Sequence, residues 1–139
     1  MSIHVATSDE EIAACFPVMS QLRPHLKVEE FVPIVRSQMS EGYRLAYLQV
    51  SGRPVAVAGY RIRRMLALGI HLYVDDLVTD EAARSQGHGS KLLAWLRAQA
   101  RTEGCGSVHL DTAVHRIGAQ RFYEREGMKM SGYHYAIVS

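Results

Sequence analysis

The sequence predicts an α/β fold of the α+β type, with strands and helices following one another in one domain of residues 1–139. Apolar, β-branched runs alternate with stretches whose apolar residues recur at helical spacing. Hydrophobic side chains make up 47% of the chain and charged ones 22%, which is typical of a soluble globular protein. At 139 residues the chain is long enough to bury a core, and no repeat or linker-like stretch divides it.

The amino-terminal third is predicted to hold one strand and two helices. Ile3–Ala6 has the character of a short strand. Residues 7–11 supply capping side chains and first-turn acids for a helix that runs to Arg23, where a proline follows. A second helix is predicted over Val28–Ser40, with Gly42 just beyond its end.

Three strands are predicted next. Tyr43–Val50 is apolar and β-branched, and Ser51-Gly52 is a turn that joins it to a second strand over Pro54–Arg63. Met65–Gly69 is the expected hairpin connection to a third strand over Ile70–Val78.

The carboxyl-terminal half is predicted to alternate helix and strand. An amphipathic helix covers Ser90–Arg101 and stops before Gly104. A strand over Ser107–Val114, a short helix over Ile117–Arg125 and a closing strand over Lys129–Val138 follow. The predicted order is therefore βααβββαβαβ.

Composition and patterning argue against several classes of function. The formal net charge is +2, and Lys and Arg are scattered among acids without the basic stripe that nucleic-acid binding requires. No apolar run approaches the roughly 20 residues of a membrane span, and no signal-peptide pattern opens the chain, so we expect a cytoplasmic protein without membrane or nucleic-acid partners. Cys15 and Cys105 lack paired spacing, which favours free thiols in a reducing compartment.

The seven histidines do not predict a metal site. His71, His109 and His134 fall in different predicted strands, and none lies at ligand spacing from a Cys, an Asp or a second His. We therefore expect no bound metal.

The loop Arg84–Gly89 is the best candidate for binding a ligand. It lies between a predicted strand and a predicted helix, and its two glycines let the backbone turn and a ligand approach closely. The first N–H groups of the helix have no intrahelical acceptor, and Arg84 adds a cation. Such a loop favours a di-anionic group such as a pyrophosphate.

Two familiar phosphate loops do not fit. A P-loop has Lys followed by Ser or Thr directly after its last glycine, whereas here Ser90 precedes Lys91. A dinucleotide fingerprint has three glycines, and only two are present, although Asp111 lies at the distance expected for its acidic residue.

The pattern R-x-x-G-x-G at residues 84–89 resembles the coenzyme A loop of the GNAT superfamily of N-acetyltransferases. Tyr73–Val78 resembles the fourth strand of that family, and Ala119–Met128 is similar to its A-x-x-F-Y-E-x-x-G-F signature. The resemblance implies the GNAT fold: a central mixed, mostly antiparallel sheet of six to seven strands, flanked by four helices and splayed at the fourth and fifth strands. It also implies acetyl-CoA as cosubstrate and transfer of an acetyl group to a primary amine, by direct attack in a ternary complex.

Acetyl transfer to an amine has three requirements that the family's residues meet. The amine must lose a proton, the oxyanion needs a donor, and the leaving thiolate needs a proton. By the resemblance, Tyr123 is the general acid for the thiolate, with a packed aromatic pair with Phe122 as the alternative. The backbone of Leu77 and Val78 is the expected donor to the thioester carbonyl.

Asp75 and Asp76 are the candidates for the base. They are adjacent in a strand, so their side chains should point to opposite faces, and one of them should face the acceptor. Asp75 matches the position of the family's acidic base better than Asp76 does. The alternative is a structural pair with Arg61, Arg63 or His109, or deprotonation through water.

The resemblance also implies a set of residues that bind the cofactor. Many family members carry an Asn three residues before the alanine of the signature, and here that position is Arg116, which can donate to a phosphate. The alternative is that Arg116 is a solvated residue at a helix start. The expected cofactor-binding residues are Leu77, Val78, Arg84, Ser85, Gln86, Gly87, His88, Gly89, Ser90, Arg116 and Tyr123.

The acceptor and the oligomeric state are not fixed by the sequence. A small molecule, a peptide N-terminus or a lysine could each supply the amine, and many members of the family form homodimers. The alternative to an enzyme is a catalytically silent module that senses acyl-CoA.

Overall fold

A computed structural model describes residues 1–139. The elements follow the order β1 Ser2–Val5, α1 Asp9–Leu22, α2 Val28–Met39, β2 Arg44–Val50, β3 Arg53–Met65, β4 Gly69–Thr79, a 3₁₀ turn Glu81–Ala83, α3 His88–Thr102, β5 Val108–Leu110 and α4 Ile117–Arg125. The chain forms two compact units, Met1–His109 and Leu110–Ser139. No helix combines the length and the apolarity that a membrane span requires.

One sheet runs in the order β1-β2-β3-β4-β5. The pairs β1–β2, β2–β3 and β3–β4 are antiparallel. The segment that leads into β5 joins the beginning of β4 through Gly106 N–H to the Ile70 carbonyl (3.0 Å) and Leu72 N–H to the Ser107 carbonyl (3.1 Å). Partner numbers rise together along both segments, which is the parallel direction. A mixed, mostly antiparallel sheet is therefore confirmed.

The number of strands differs from the prediction. The sheet has five strands rather than six to seven, because Lys129–Val138 forms no strand. Strand β5 is also shorter than predicted, with three residues instead of the range Ser107–Val114. Alternation of apolar and polar residues marks a segment able to line a sheet face, but a strand exists only where a neighbouring backbone completes its ladder. The four predicted helices are present.

Helix α1 begins where the sequence predicts, through reciprocal side-chain caps. The Ser8 hydroxyl accepts from the Glu11 N–H (3.1 Å), and the Glu11 carboxylate accepts from the Ser8 N–H (3.2 Å). The Tyr47 hydroxyl of β2 donates to the other Glu11 oxygen (2.7 Å), which ties the beginning of α1 to the sheet. Hydrogen bonds from Tyr47 and from the Thr7 and Ser8 amides lower the pKa of Glu11 to about 2.

The core of the first unit lies between the sheet and its helices. Side chains from α1 and α2 pack with residues of β2 and β3, and Ile12, Cys15, Leu45 and Val57 are fully buried. Helix α3 buries the stripe formed by Leu92, Leu93, Leu96 and Ala100, as its periodicity predicts. Burying such side chains contributes roughly 1.5–3 kcal/mol each, so this core holds the ends of α1, β4 and α3 in place.

The second unit contains α4, whose bounds match the prediction. The Gln120 side chain donates to the Val114 carbonyl (2.9 Å), which fixes the turn before the helix. Phe122 and Tyr123 meet edge to face, with ring centroids 5.3 Å apart. His134 lies 3.0 Å from the Asp111 carboxylate.

Candidate active site

The loop before α3 has the geometry of an anion-binding turn. Ser85 and Gly87 both adopt left-handed backbone, with φ of 65° and 80°, and Gly87 is the N-cap of α3. A Cβ at Gly87 would meet no atom within 4 Å, so the space above it is open. The first hydrogen bond within the helix is from Lys91 N–H to the Gly87 carbonyl, which leaves the amides of His88 and Gly89 without an intrahelical acceptor.

The side chains of this loop are arranged by exposure. Arg84, Ser85 and Gln86 are exposed, and Gly89 and Ser90 are half-buried. His88 is buried, and its Nδ1 has no hydrogen-bond partner within the protein. The positive end of α3 therefore faces a loop whose exposed cation is Arg84.

A β-bulge interrupts β4 at the two aspartates. Gly59 of β3 pairs with Asp76 and Tyr60 pairs with Val74, which leaves Asp75 as the extra residue. A bulge breaks the strict alternation of side chains along a strand and re-aims them. The opposite-face relation expected of Asp75 and Asp76 therefore does not follow from the pleat alone.

Asp75 is held by a guanidinium group. Arg61 of β3 donates Nε and Nη2 to its two carboxylate oxygens, at 3.2 and 2.6 Å. This bidentate pair raises the pKa of Arg61 above its usual value. Asp75 thus has the structural partner that the sequence offered as its alternative role.

Asp76 is held by two groups from distant parts of the chain. Arg23, which follows α1, donates Nε to one carboxylate oxygen (3.0 Å), and the Tyr43 hydroxyl donates to the other (2.8 Å). Arg23 Nη2 also donates to the Asp75 carbonyl (3.0 Å). Burial and the Asp76 carboxylate raise the pKa of Tyr43 well above 10, so this phenol stays neutral and donates its proton.

Gly59 makes the Tyr43–Asp76 contact sterically feasible. A Cβ built at Gly59 would overlap the Tyr43 hydroxyl and would lie 2.6 Å from a carboxylate oxygen of Asp76. Any larger residue at this position would expel the phenol from its place over β3.

A cavity of about 300 Å³ opens beside Asp76. It lies between the end of α1, helix α2 and the bulge of β4. Its apolar lining comes from both helices and the segment between them and includes Leu26, Phe31 and Ile34, and its polar groups include Arg23 and Asp76. Asp75 does not line this cavity.

The end of α1 is joined to the segment that leads from β4 to the loop. The Gln21 side chain donates to the Asp80 carboxylate (3.1 Å) and accepts from the Glu81 N–H (2.9 Å). Arg53 donates to the second oxygen of Asp80 (3.1 Å). These bonds, with the amide of Ala82, hold the pKa of Asp80 below its usual value.

The remaining predicted residues lie on two different elements. Leu77 and Val78 pair with Ala58 and Val57 in the β3–β4 ladder, at the carboxyl-terminal end of β4. Arg116 is the exposed N-cap residue of α4.

No group of three or more His, Cys, Asp or Glu side chains is arranged to hold a metal ion. His71 is fully buried with Nδ1 near the Gly69 carbonyl (3.1 Å), and its ring meets that of His109 edge to face. Burial, His71 and Arg63 lower the pKa of His109, so this ring favours its neutral form.

Arg23 and Tyr43 are the site residues that sequence reasoning missed. They lie 53 and 33 residues before Asp76, and neither belongs to a motif. The only local signal is their place just past a helix end, before Pro24 and after Gly42.

Comparison with known proteins matches the chain to one family. Residues 8–128 match the model of the acetyltransferase (GNAT) family. The chain is 35% identical over 129 residues to the uncharacterized N-acetyltransferase YhdJ of Bacillus subtilis, with 91% of each chain covered. It is 40% identical over 62 residues to the aminoalkylphosphonate N-acetyltransferase of Salmonella typhimurium, covering 45% of this chain and 40% of that protein.

Solved structures agree on the fold. A putative acetyltransferase from Agrobacterium tumefaciens superposes with a TM-score of 0.86 at 23% identity, and all of both chains is covered. The aminoglycoside N-acetyltransferase AAC(6')-Iy, solved in complex with CoA, has a TM-score of 0.84 at 13% identity, covering 100% of this chain and 97% of that one. At 23% and 13% identity, these structures support the fold only.

Proposed function

This chain belongs to the GNAT family of acetyltransferases, and from that membership we propose that it moves an acetyl group to a primary amine by direct attack within a ternary complex. The family's activity is N-acetyl transfer, and its cosubstrate is acetyl-CoA.

The loop before α3 fits the pyrophosphate of the cosubstrate. Left-handed Gly87 presents open space where a Cβ would stand, and the adjoining helix amides lack intrahelical acceptors. We assign binding to the Arg84–Ser90 loop, with Arg116 as a further donor by its place in the motif. When bound, acetyl-CoA supplies the activated acetyl group.

Asp76 is the residue best placed to receive the amine. Its carboxylate lines the cavity, whereas Asp75 is engaged by Arg61 on both oxygens. Arg23 and Tyr43 each use one lone-pair site of Asp76, and a carboxylate offers about four. Asp76 therefore keeps capacity to accept a hydrogen bond from the acceptor nitrogen and to take its proton, directly or through water, while Asp75 braces the bulge.

The other two chemical roles follow the family's motifs. Tyr123 is proposed to return a proton to the leaving thiolate. The backbone N–H groups of Leu77 and Val78 are proposed as donors to the carbonyl oxygen, since they lie at the end of β4 just after the bulge.

The names of two similar proteins support an amine acceptor. One is the uncharacterized N-acetyltransferase YhdJ and the other the aminoalkylphosphonate N-acetyltransferase, and both names denote transfer to nitrogen. A cavity of about 300 Å³ favours a small acceptor, or the end of a peptide or lysine, over a folded surface.

The observation that carries the proposal is that α3 begins at Gly87 without a side-chain cap, so its first amides are available to an anion. Eleven residues before it, the Asp76 carboxylate lines the cavity. Thiol release from acetyl-CoA across a panel of primary amines tests it. We expect turnover with at least one amine in the wild type and its loss in Gly87→Asp, which places a negative charge where the pyrophosphate binds.

Gly87→Asn is the matched control for that variant. Asn and Asp have the same shape and meet the same left-handed backbone, so a difference between them reports charge. Calorimetry should show acetyl-CoA affinity reduced more strongly in Gly87→Asp than in Gly87→Asn. Equal affinity in the two folded variants would contradict the phosphate assignment.

A further inference from the structure

The hydrogen-bond inventory of Arg23 leaves part of its guanidinium uncommitted. A guanidinium carries five N–H donors. Nε binds Asp76 and Nη2 binds the Asp75 carbonyl, and no bond within the protein uses Nη1. The side chain is 41% exposed and lines the cavity. Its free edge is therefore a fixed cation on the cavity wall.

This cation lies beside the carboxylate proposed to receive the amine. Arg23 Nε is 3.0 Å from the Asp76 oxygen, so opposite charges meet on one side of the cavity. His25, two residues after Arg23, lines the same cavity with no hydrogen bond to either ring nitrogen. The polar side of the cavity thus presents an acceptor for an ammonium group next to donors for an anion.

The larger part of the remaining cavity lining is apolar. Leu26, Phe31 and Ile34 contribute to it, and Phe31 is almost completely buried. An acceptor that fills this space would bury an aliphatic or aromatic group. A volume of about 300 Å³ favours a small acceptor.

We infer that the acceptor is a small zwitterion: an amino acid with an apolar side chain, whose amine binds Asp76 and whose carboxylate binds Arg23. This inference rests on the proposed function and names its substrate class. A carboxylate matches the planar edge of a guanidinium, and an amine and a carboxylate on one carbon can reach two groups that are themselves in contact. An acceptor without a carboxylate would leave only water for the Nη1 group of Arg23.

Two acceptor pairs test the inference on the unaltered enzyme. L-leucine is compared with L-leucinamide, and L-phenylalanine with L-phenylalaninamide, by kcat/KM for thiol release from acetyl-CoA. Each amide has the same size as its acid but lacks the negative charge. The ammonium group of the amide also has a lower pKa, because the stabilising carboxylate is gone. A larger fraction of the amide is therefore neutral and able to attack, which by itself would give the amide the higher kcat/KM.

We expect each acid to exceed its amide by roughly 10- to 100-fold, the range for a charge-assisted hydrogen bond. Arg23→Gln should remove this preference by lowering kcat/KM for the acid more than for the amide. The control is Arg61→Gln. It removes the guanidinium that binds Asp75, which does not line the cavity, and it should leave the ratio of acid to amide unchanged. Amides equal to or better than acids in the wild type would overturn the inference and point to peptide N-termini.

A binding measurement separates this inference from the proposed function. Calorimetric titration of L-leucine and L-leucinamide into the CoA-saturated protein reports acceptor recognition without turnover. Stronger binding of L-leucine without thiol release would support the zwitterion site and contradict the proposed activity. Thiol release with amines but without a preference for acids would support the proposed activity and contradict the zwitterion site.

Discussion

The two adjacent aspartates of β4 differ through their partners rather than through the pleat of the strand. Asp75 is saturated by a bidentate guanidinium, whereas Asp76 shares one oxygen each with Arg23 and Tyr43 and lines the cavity. Side-chain exposure is similar, at 24% and 15%, so exposure alone would not separate them.

Replacement by Asn should therefore have different effects at the two positions. Asp76→Asn keeps the shape and removes the charge, and we expect kcat/KM to fall roughly 10²- to 10⁴-fold. The loss should be greatest at low pH, where the acceptor amine is least often neutral, and should shrink as pH rises. Asp75→Asn should instead cost about 1–3 kcal/mol of unfolding free energy, because the Arg61 guanidinium loses its charged partner.

Rate profiles against pH and thermal melts of both variants check this prediction. The roles would be exchanged if Asp75→Asn gave the pH-dependent loss of rate and Asp76→Asn only the loss of stability. Parallel, pH-independent losses would mean that neither carboxylate handles the amine proton.

The cap of α1 joins an element to the sheet through one carboxylate. Glu11 accepts from the Thr7 and Ser8 amides and from the Tyr47 hydroxyl. Its pKa in the folded protein is about 2, below the ordinary value of 4.5. Since the folded pKa is lowered, the stabilisation is fully present above pH 4.5 and is lost as the pH falls towards 2.

We expect the melting temperature of the wild type to fall over this window and Glu11→Gln to flatten the fall while lowering the melting temperature at neutral pH. Glu10→Gln, at an exposed position in the same turn, is the control and should keep the wild-type slope. A Glu11→Gln protein with an undiminished acid slope would show that other carboxylates set it. Circular dichroism melts at several pH values provide the measurement.

Elements with strong local signals were predicted well. The bounds of α4 agree with the prediction, because its periodicity and the left-handed Gly127 just past its end act within a few residues. The closing strand was wrong, since the pattern of residues 129–138 carries no information about a neighbouring backbone. The bulge at Asp75 depends on the register between β3 and β4, which alternation within one strand does not encode.

The candidate site also has one part that is local in sequence and one part that is not. The loop at residues 84–90 is contiguous and was predicted as a ligand-binding turn. The cavity is assembled from α1, α2 and β4, so Arg23 and Tyr43 could be associated with Asp76 only after the chain had folded.

At the scale of the whole molecule, the two cysteines differ in how accessible they are to solvent. Cys15 is fully buried in the core of the first unit, and burial raises the pKa of its thiol to about 12. Cys105 is partly exposed, although burial also raises its pKa. A thiol reagent needs both access and thiolate.

Under native conditions we expect Cys105 to react with a disulfide reagent and Cys15 to remain unreacted until the first unit unfolds. In the Cys105→Ser protein, labelling should follow the unfolding transition measured by circular dichroism. Saturating acetyl-CoA should slow that labelling, because a ligand that binds only the folded state stabilises it. Rapid native labelling of Cys15 would show that the core opens locally.

The absence of a side chain at Gly59 has an evolutionary consequence. The Tyr43 hydroxyl occupies the volume that a Cβ at residue 59 would need, and there it donates to Asp76. The three positions should therefore vary together among relatives: glycine at 59 should accompany tyrosine at 43 and aspartate at 76. Lineages that gained a larger residue at 59 should have lost the tyrosine, and counts of these combinations across family sequences would reveal the coupling.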